Sequence, residues 1–247
     1  MCISLDRIYN VCGVPFKMIF VKGGSCILGS SEIDDVIPNY NPIHSAEIED
    51  FYIGETLITR ELASKLCVEV DGPFKRFFKE VDDTPQLPVN LFFGDCLRLI
   101  FNLNQLTGES FRFPTADEWE YAARGGRNSK GYIYAGSNNI DEVAWIDSNS
   151  GRRRNPVKLK KPNELGIYDM SGNMVEYCAC NPISKYIRGS DDNWSYSLPH
   201  VTYRGGCSLS SDNECEVSCL CDWAYDLDEW MGMRLCLSAN QISSSSI

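Results

Sequence analysis

The sequence predicts an α+β domain with an unusual share of loop. Three observations carry that reading. A strand-rich opening comes first, "FKMIFVKGGSCILG" at 16–29. Two or three capped helices fill the middle, and after Gly126 Gly, Ser, Asn and Asp recur every few residues, with apolar runs of only three or four. The 247 residues are 43% hydrophobic, enough for one large core. Residues 1–238 are therefore expected to form one domain, followed by a Ser-rich tail at 239–247.

In chain order, β-branched and aromatic residues flank Gly23-Gly24, which predicts a strand, a turn and a second strand in a hairpin. A further strand centres on Phe51 and Ile53. Thr59 then caps a helix, because its hydroxyl can accept one of the free amides of the first turn. "PQLPVN", ending at Asn90, excludes a regular helix. From Phe92 to Leu106, Cys96, Leu99, Ile100 and Leu103 fall on one helical stripe that Gly108 ends. "FRFPTADEWEYAARGG" predicts the next helix, with Thr115 and Glu118 as a capping box and Gly125 as its left-handed exit.

Composition excludes several classes. The net charge of −11 opposes nonspecific binding to nucleic acid or anionic lipid. The basic run "GRRRNPVKLKK" at 151–161 reads as a solvated loop and strand. No stretch approaches the roughly 18 apolar residues of a membrane span, and no basic segment precedes an apolar core at the N-terminus. The expected location is therefore the cytoplasm or a virion. Twelve cysteines without regular spacing or an export signal point to free thiols.

Four segments, "FRFPTADEWEYAARGG", "NPVKLKKPNELGIYDMSGNMVEYC", "VTYRGGCS" and "MGMRLCLS", resemble the formylglycine-generating-enzyme, or sulfatase-modifying-factor, domain family. The opening strands and first helix match as well. The resemblance implies a C-type-lectin-like fold, loop-rich with short strands and few helices. It also implies three functional branches that share that fold.

The oxidase branch uses two cysteines, four and nine residues beyond the second glycine of the Gly-Gly pair, to hold copper and activate oxygen. Two thiolates suit the soft Cu(I) ion. Counting from Gly206, the ninth residue is Cys215, but the fourth is Ser210, and Cys207 stands three residues early. The catalytic pair is incomplete; as an oxidase the chain would have to use Cys207 with Cys215. The iron-dependent branch needs three histidines, and the chain has two, His44 and His200. A zinc site of Cys207, Cys215, Cys219 and Cys221 would lack the usual CxxC pairs. In the family "DMSGNMVE" corresponds to a calcium loop, with Asp169 and Glu176 giving carboxylates and Gly172 and Met174 carbonyls, a donor set suited to a hard cation.

Between Cys207 and Met233 lie seven acidic residues, no Lys, Arg or His, and the aromatics Trp223, Tyr225 and Trp230. Glu216 and Leu220 stand where relatives carry arginine. Rigid aromatics among Ser, Asp and Asn have the composition of a binding surface. The pattern resembles the variable proteins of diversity-generating retroelements in bacteria and phage, which diversify this segment. The expected function is non-catalytic binding of a protein or other macromolecular ligand. The expected contacts are Ser208, Ser210, Asp212, Asn213, Cys219, Cys221, Trp223, Tyr225, Asp226, Asp228 and Trp230. The alternative is a copper-dependent formylglycine-generating oxidase acting on a substrate cysteine.

Overall fold

The structure is a computed structural model and describes residues 5–30, 41–66, 84–179, 201–220 and 230–240. Fourteen regular elements are placed among them. In order they are β1 (Arg7–Val11), β2 (Val14–Val21), β3 (Gly24–Leu28), β4 (His44–Ile48), β5 (Phe51–Gly54), α1 (Arg60–Lys65) and α2 (Phe93–Thr107). There follow α3 (Ala116–Ala123), α4 (Ile140–Val143), α5 (Asp147–Ser150), β6 (Val175–Ala179), β7 (Val201–Arg204), β8 (Met231–Gly232) and β9 (Cys236–Ser238).

Three small sheets result: a four-stranded one ordered β1-β2-β5-β9, a pair β3-β4, and a three-stranded one ordered β7-β6-β8. The four-stranded sheet is antiparallel, and β5 lies inside it between Val21↔Phe51 and Phe51↔Ser238 pairs. Phe51 and Ile53 face one core cluster, with Trp119 and Ala122 of α3, while Tyr52 faces the other, with Leu62 of α1 and Leu99 of α2. Because both faces of the sheet are covered, β5 is buried at every position.

The three expected helices form where their caps place them. Thr59 Oγ1 accepts from the Leu62 amide. Gly108 ends α2 in the left-handed region, and Cys96, Leu97, Leu99, Ile100 and Leu103 are its buried stripe. Thr115 and Glu118 close the capping box of α3, which leads into the left-handed Gly125. The Gly23-Gly24 hairpin does not form. β2 pairs with β1 and β5, and β3 with β4, so the two glycines carry the chain from one sheet to another. A β-carbon on Gly23 would overlap the Ile48 carbonyl, which explains the glycine without a turn. The hairpin that does form joins β1 to β2 through Cys12 and Gly13, both at positive φ. Within the basic run no strand forms, and Arg154 is buried, donating to the Pro88 carbonyl.

Candidate functional site

Two arginines frame the segment that the sequence singles out. β7 ends at Arg204, whose side chain is fully buried and donates to Glu120 Oε2 at 3.1 Å and to the Cys219 carbonyl at 3.2 Å. Glu120 lies on α3 and also accepts from the Gly29 amide at 2.7 Å and from Arg124. Burial pushes its carboxyl pKa up, but Arg204, the Gly29 amide and Arg124 outweigh it and hold the pKa below the ordinary value. At the other end Arg234, equally buried, donates to both oxygens of Glu176 and to the carbonyls of Gly54 and Tyr168. Trp119 Nε1 adds a 3.0 Å bond to Glu176 Oε2. Each guanidinium is thus neutralised and bonded to backbone from several elements, the condition under which a buried ion pair is tolerated.

Gly205 and Gly206 follow Arg204 with φ of 92° and 68°, a region open to glycine at little cost. Gly206 has a second role. A β-carbon there would stand 2.6 Å from Cys215 Sγ and 3.2 Å from Ser210 Oγ. The residues four and nine beyond Gly206 therefore do converge, as the family spacing implies, but one is a hydroxyl. Ser210 Oγ accepts from the Cys207 amide at 3.1 Å, and the Ser210 amide donates to the Cys207 carbonyl at 2.9 Å. Cys207 packs in the core with Met174, Val175 and Trp230, whereas Cys215 packs with Ile140, Val143 and Ile146. Cys207 Sγ lies 3.8 Å from Ser210 Oγ, so it borders the point where Ser210 meets Cys215 but does not take the place of Ser210 there.

The turn from 207 to 210 is held on all sides. Ser150 Oγ donates to the Ser208 carbonyl at 2.8 Å, the Ser208 amide donates to the Asn173 carbonyl, and the Asp147 amide donates to the Ser210 carbonyl. Ser171 Oγ fixes the Cys215 carbonyl at 2.8 Å. Consequently Ser208, Ser210 and Cys219 are buried, as is Trp230, and these four expected contacts do not present a surface. Asp212 is exposed and Asn213 half-buried. Cys221, Trp223, Tyr225, Asp226 and Asp228 lie outside the described residues, as does His200.

The calcium donor set does not fit. Both Glu176 oxygens are engaged by Arg234 and Trp119, so a cation there would have to displace a guanidinium. Asp169, at a φ of 57°, accepts from the Lys158 amide at 2.9 Å. Burial raises its pKa to about 6. Among the described residues no cluster of three or more His, Cys, Asp or Glu is placed to hold a metal. The zinc set is not assembled among the described residues, and Cys221 lies outside them.

Sequence reasoning missed Glu120. Its signal was a carboxylate on the same helical face as Ala116 and Ala123, both packed in the core. A charge in that register demands a buried partner.

Residues 14–239 match the model of the sulfatase-modifying factor enzyme 1-like domain. The chain belongs to that family. The chain is 29% identical to chaperone protein LppX of Paenibacillus barcinonensis over 83% of both sequences. It is 26% identical to serine/threonine-protein kinase Pkn1 of Chlamydia trachomatis serovar L2 over 81% of this chain, which spans only 34% of that kinase. Two solved structures share the fold. Treponema denticola variable protein 1 superposes with a TM-score of 0.75 at 23% identity, covering 96% of this chain and 100% of that one. PvdO from Pseudomonas aeruginosa gives 0.67 at 21% identity, covering 94% and 98%. The family fold is thus the α+β, loop-rich arrangement that the sequence predicts.

Proposed function

We propose that this chain is a non-catalytic ligand-binding protein that displays part of the segment between Gly206 and Gly232 as a variable binding surface. The observation that carries this reading is the two-ended clamp. Arg204–Glu120 and Arg234–Glu176 hold both ends of the segment with fully buried side chains. A frame anchored outside the segment tolerates substitution inside it, which a diversified binding surface requires. Ser210 supports the same reading, because a hydroxyl replaces one of the two thiols that copper chemistry needs. Two similar proteins agree with it: one is named a chaperone and the other a variable protein. The surface takes a protein or other macromolecular ligand through Asp212, Asn213 and the aromatic and acidic residues from Trp223 to Asp228. Retroelement-driven diversification is the part of this proposal that rests on resemblance.

Two measurements test it. Sequencing the coding region across a clonally grown host population should find substitutions concentrated between codons 211 and 229, whereas uniform identity along the gene would remove the variability. Anaerobic Cu(I) titration of the reduced protein should show weak binding indifferent to Cys207→Ser and Cys215→Ser. Ser210→Cys, which places a thiol beside Cys215 at Gly206, should then bind Cu(I) stoichiometrically. Tight wild-type binding lost in both serine variants would restore the oxidase.

A further inference from the structure

A cleft beyond the Arg234 end of the clamped segment is lined by none of that segment's residues. It encloses about 380 Å³ between the start of β2, the end of β5, the first turn of α1 and the loop at Val157–Lys158. That volume falls in the range of about 300–1,000 Å³ usual for small-ligand sites. The buried side chains of Val14, Leu57, Leu62, Val157 and Leu235 contribute to its lining. At its mouth Ile8 is 75% exposed, a large apolar side chain beside an apolar cleft.

Charge on the rim selects among occupants. Lys17 is 2.9 Å from Asp6 and 4.0 Å from Glu55, and Lys158 is 2.7 Å from Glu55, so both ammonium groups already face carboxylates. Glu61, in the first turn of α1, is the exception. Among the described residues its carboxylate receives only the neutral Gln86 amide, at 3.1 Å. Of the four charged side chains that line the cleft, Lys17, Glu55, Glu61 and Lys158, only Glu61 lacks an ion-pair partner among the described residues, since Lys17 is held by Asp6 from outside the lining and Lys158 by Glu55.

We infer that this cleft binds a primary ammonium carried on an apolar body, with the body on the Leu57–Leu62 floor and the ammonium at Glu61. An anionic ligand would meet Glu61 with no unpaired cation among the described lining residues to offset it. The ammonium instead gains a charge-assisted hydrogen bond, and the chain's net charge of −11 favours its approach. The same chemistry is offered by a free monoamine and by a lysine side chain in a short apolar peptide.

Amide chemical-shift titration of the whole chain separates these cases. The probes are phenethylamine, the blocked dipeptide acetyl-Leu-Lys-amide, and phenylpropionate as the isosteric anion. The expected result is saturable shifts at Leu57, Glu61, Leu62 and Gln86 with one or both amines and none with phenylpropionate. The tighter amine identifies the source. Glu61→Gln should weaken the amine about fivefold, as expected for one partly exposed charge pair, with Tm unchanged because the side chain's shape is kept. Ile8→Lys, at an exposed position, should weaken it as well. Absence of shifts with both amines, equal binding of phenylpropionate, or indifference to Glu61→Gln would overturn the inference. None of these outcomes bears on the clamped segment, so failure here leaves the proposed function standing.

Discussion

Glu176→Gln tests both the clamp and the calcium expectation. In the native chain Arg234 Nη2 lies 2.9 Å from Glu176 Oε1, Arg234 Nε lies 3.0 Å from Oε2, and Trp119 Nε1 shares Oε2. The amide preserves volume and leaves Arg234 as a buried cation without a counter-charge. Breaking one side of such a pair costs about 3–5 kcal/mol. For a chain of this length each kcal/mol shifts Tm by about 2–4 °C, so the fall should be roughly 6–20 °C. Thermal denaturation followed by circular dichroism, with and without EDTA or excess calcium, is the assay. The loss should be the same in every condition, and the wild-type Tm should not respond to calcium. Arg234→Met added to Glu176→Gln should recover part of the loss, since the stranded cation is then removed. Calcium-dependent stabilisation of the wild type that vanishes in Glu176→Gln would refute the argument and make Glu176 a metal ligand.

Trp230 is buried in the larger core cluster with Met174 and Cys207, so Trp230→Ala should cost about 3–5 kcal/mol. A surface contact would leave the thermal midpoint unmoved. Asp169, with its pKa raised by burial to about 6, binds more protons folded than unfolded between its ordinary value of about 3.9 and 6. Its contribution to stability should therefore fall as pH rises from about 4 to 6 and stay flat above. Asp169→Asn, which keeps an acceptor and suits the left-handed backbone, should remove that slope from a urea-denaturation series. His44 has its pKa raised, chiefly by the bond from its Nδ1 to the Pro42 carbonyl, opposed by burial and aided by Asp117. Its stabilising share should be full below about 6.5 and lost as pH rises through the higher folded value. An imidazole titration by nuclear magnetic resonance that gave a value at or below 6.5 would contradict it.

What the sequence made legible divides by the range of the interaction. The caps of α1 and α3 are local: Thr59 reaches Leu62, and Thr115 reaches Glu118, so the residues that decide them sit within one turn. The meeting of Ser210 and Cys215 at Gly206 was also readable, by counting along the family motif. The strand partners were not. β5 pairs with β2 some thirty residues back and with β9 nearly two hundred residues ahead, and no local pattern around Gly23-Gly24 records that choice.

The burial of part of the candidate surface has a related reason. Ser208 and Ser210 read as adaptable surface contacts because polar side chains normally face water. Here the turn that carries them is enclosed by hydrogen bonds with Ser150 and Asp147 of α5 and with Asn173, groups that come from two distant parts of the chain. The consequence bears on function. If the first turn after Gly206 is part of the frame, variation that preserves folding should begin at Ser211 or Asp212 rather than at Cys207. A population-sequencing profile rising sharply after Ser210 would match the frame that these bonds define. Frequent substitution at Ser208 or Ser210 in folded protein would show that the turn does not need them.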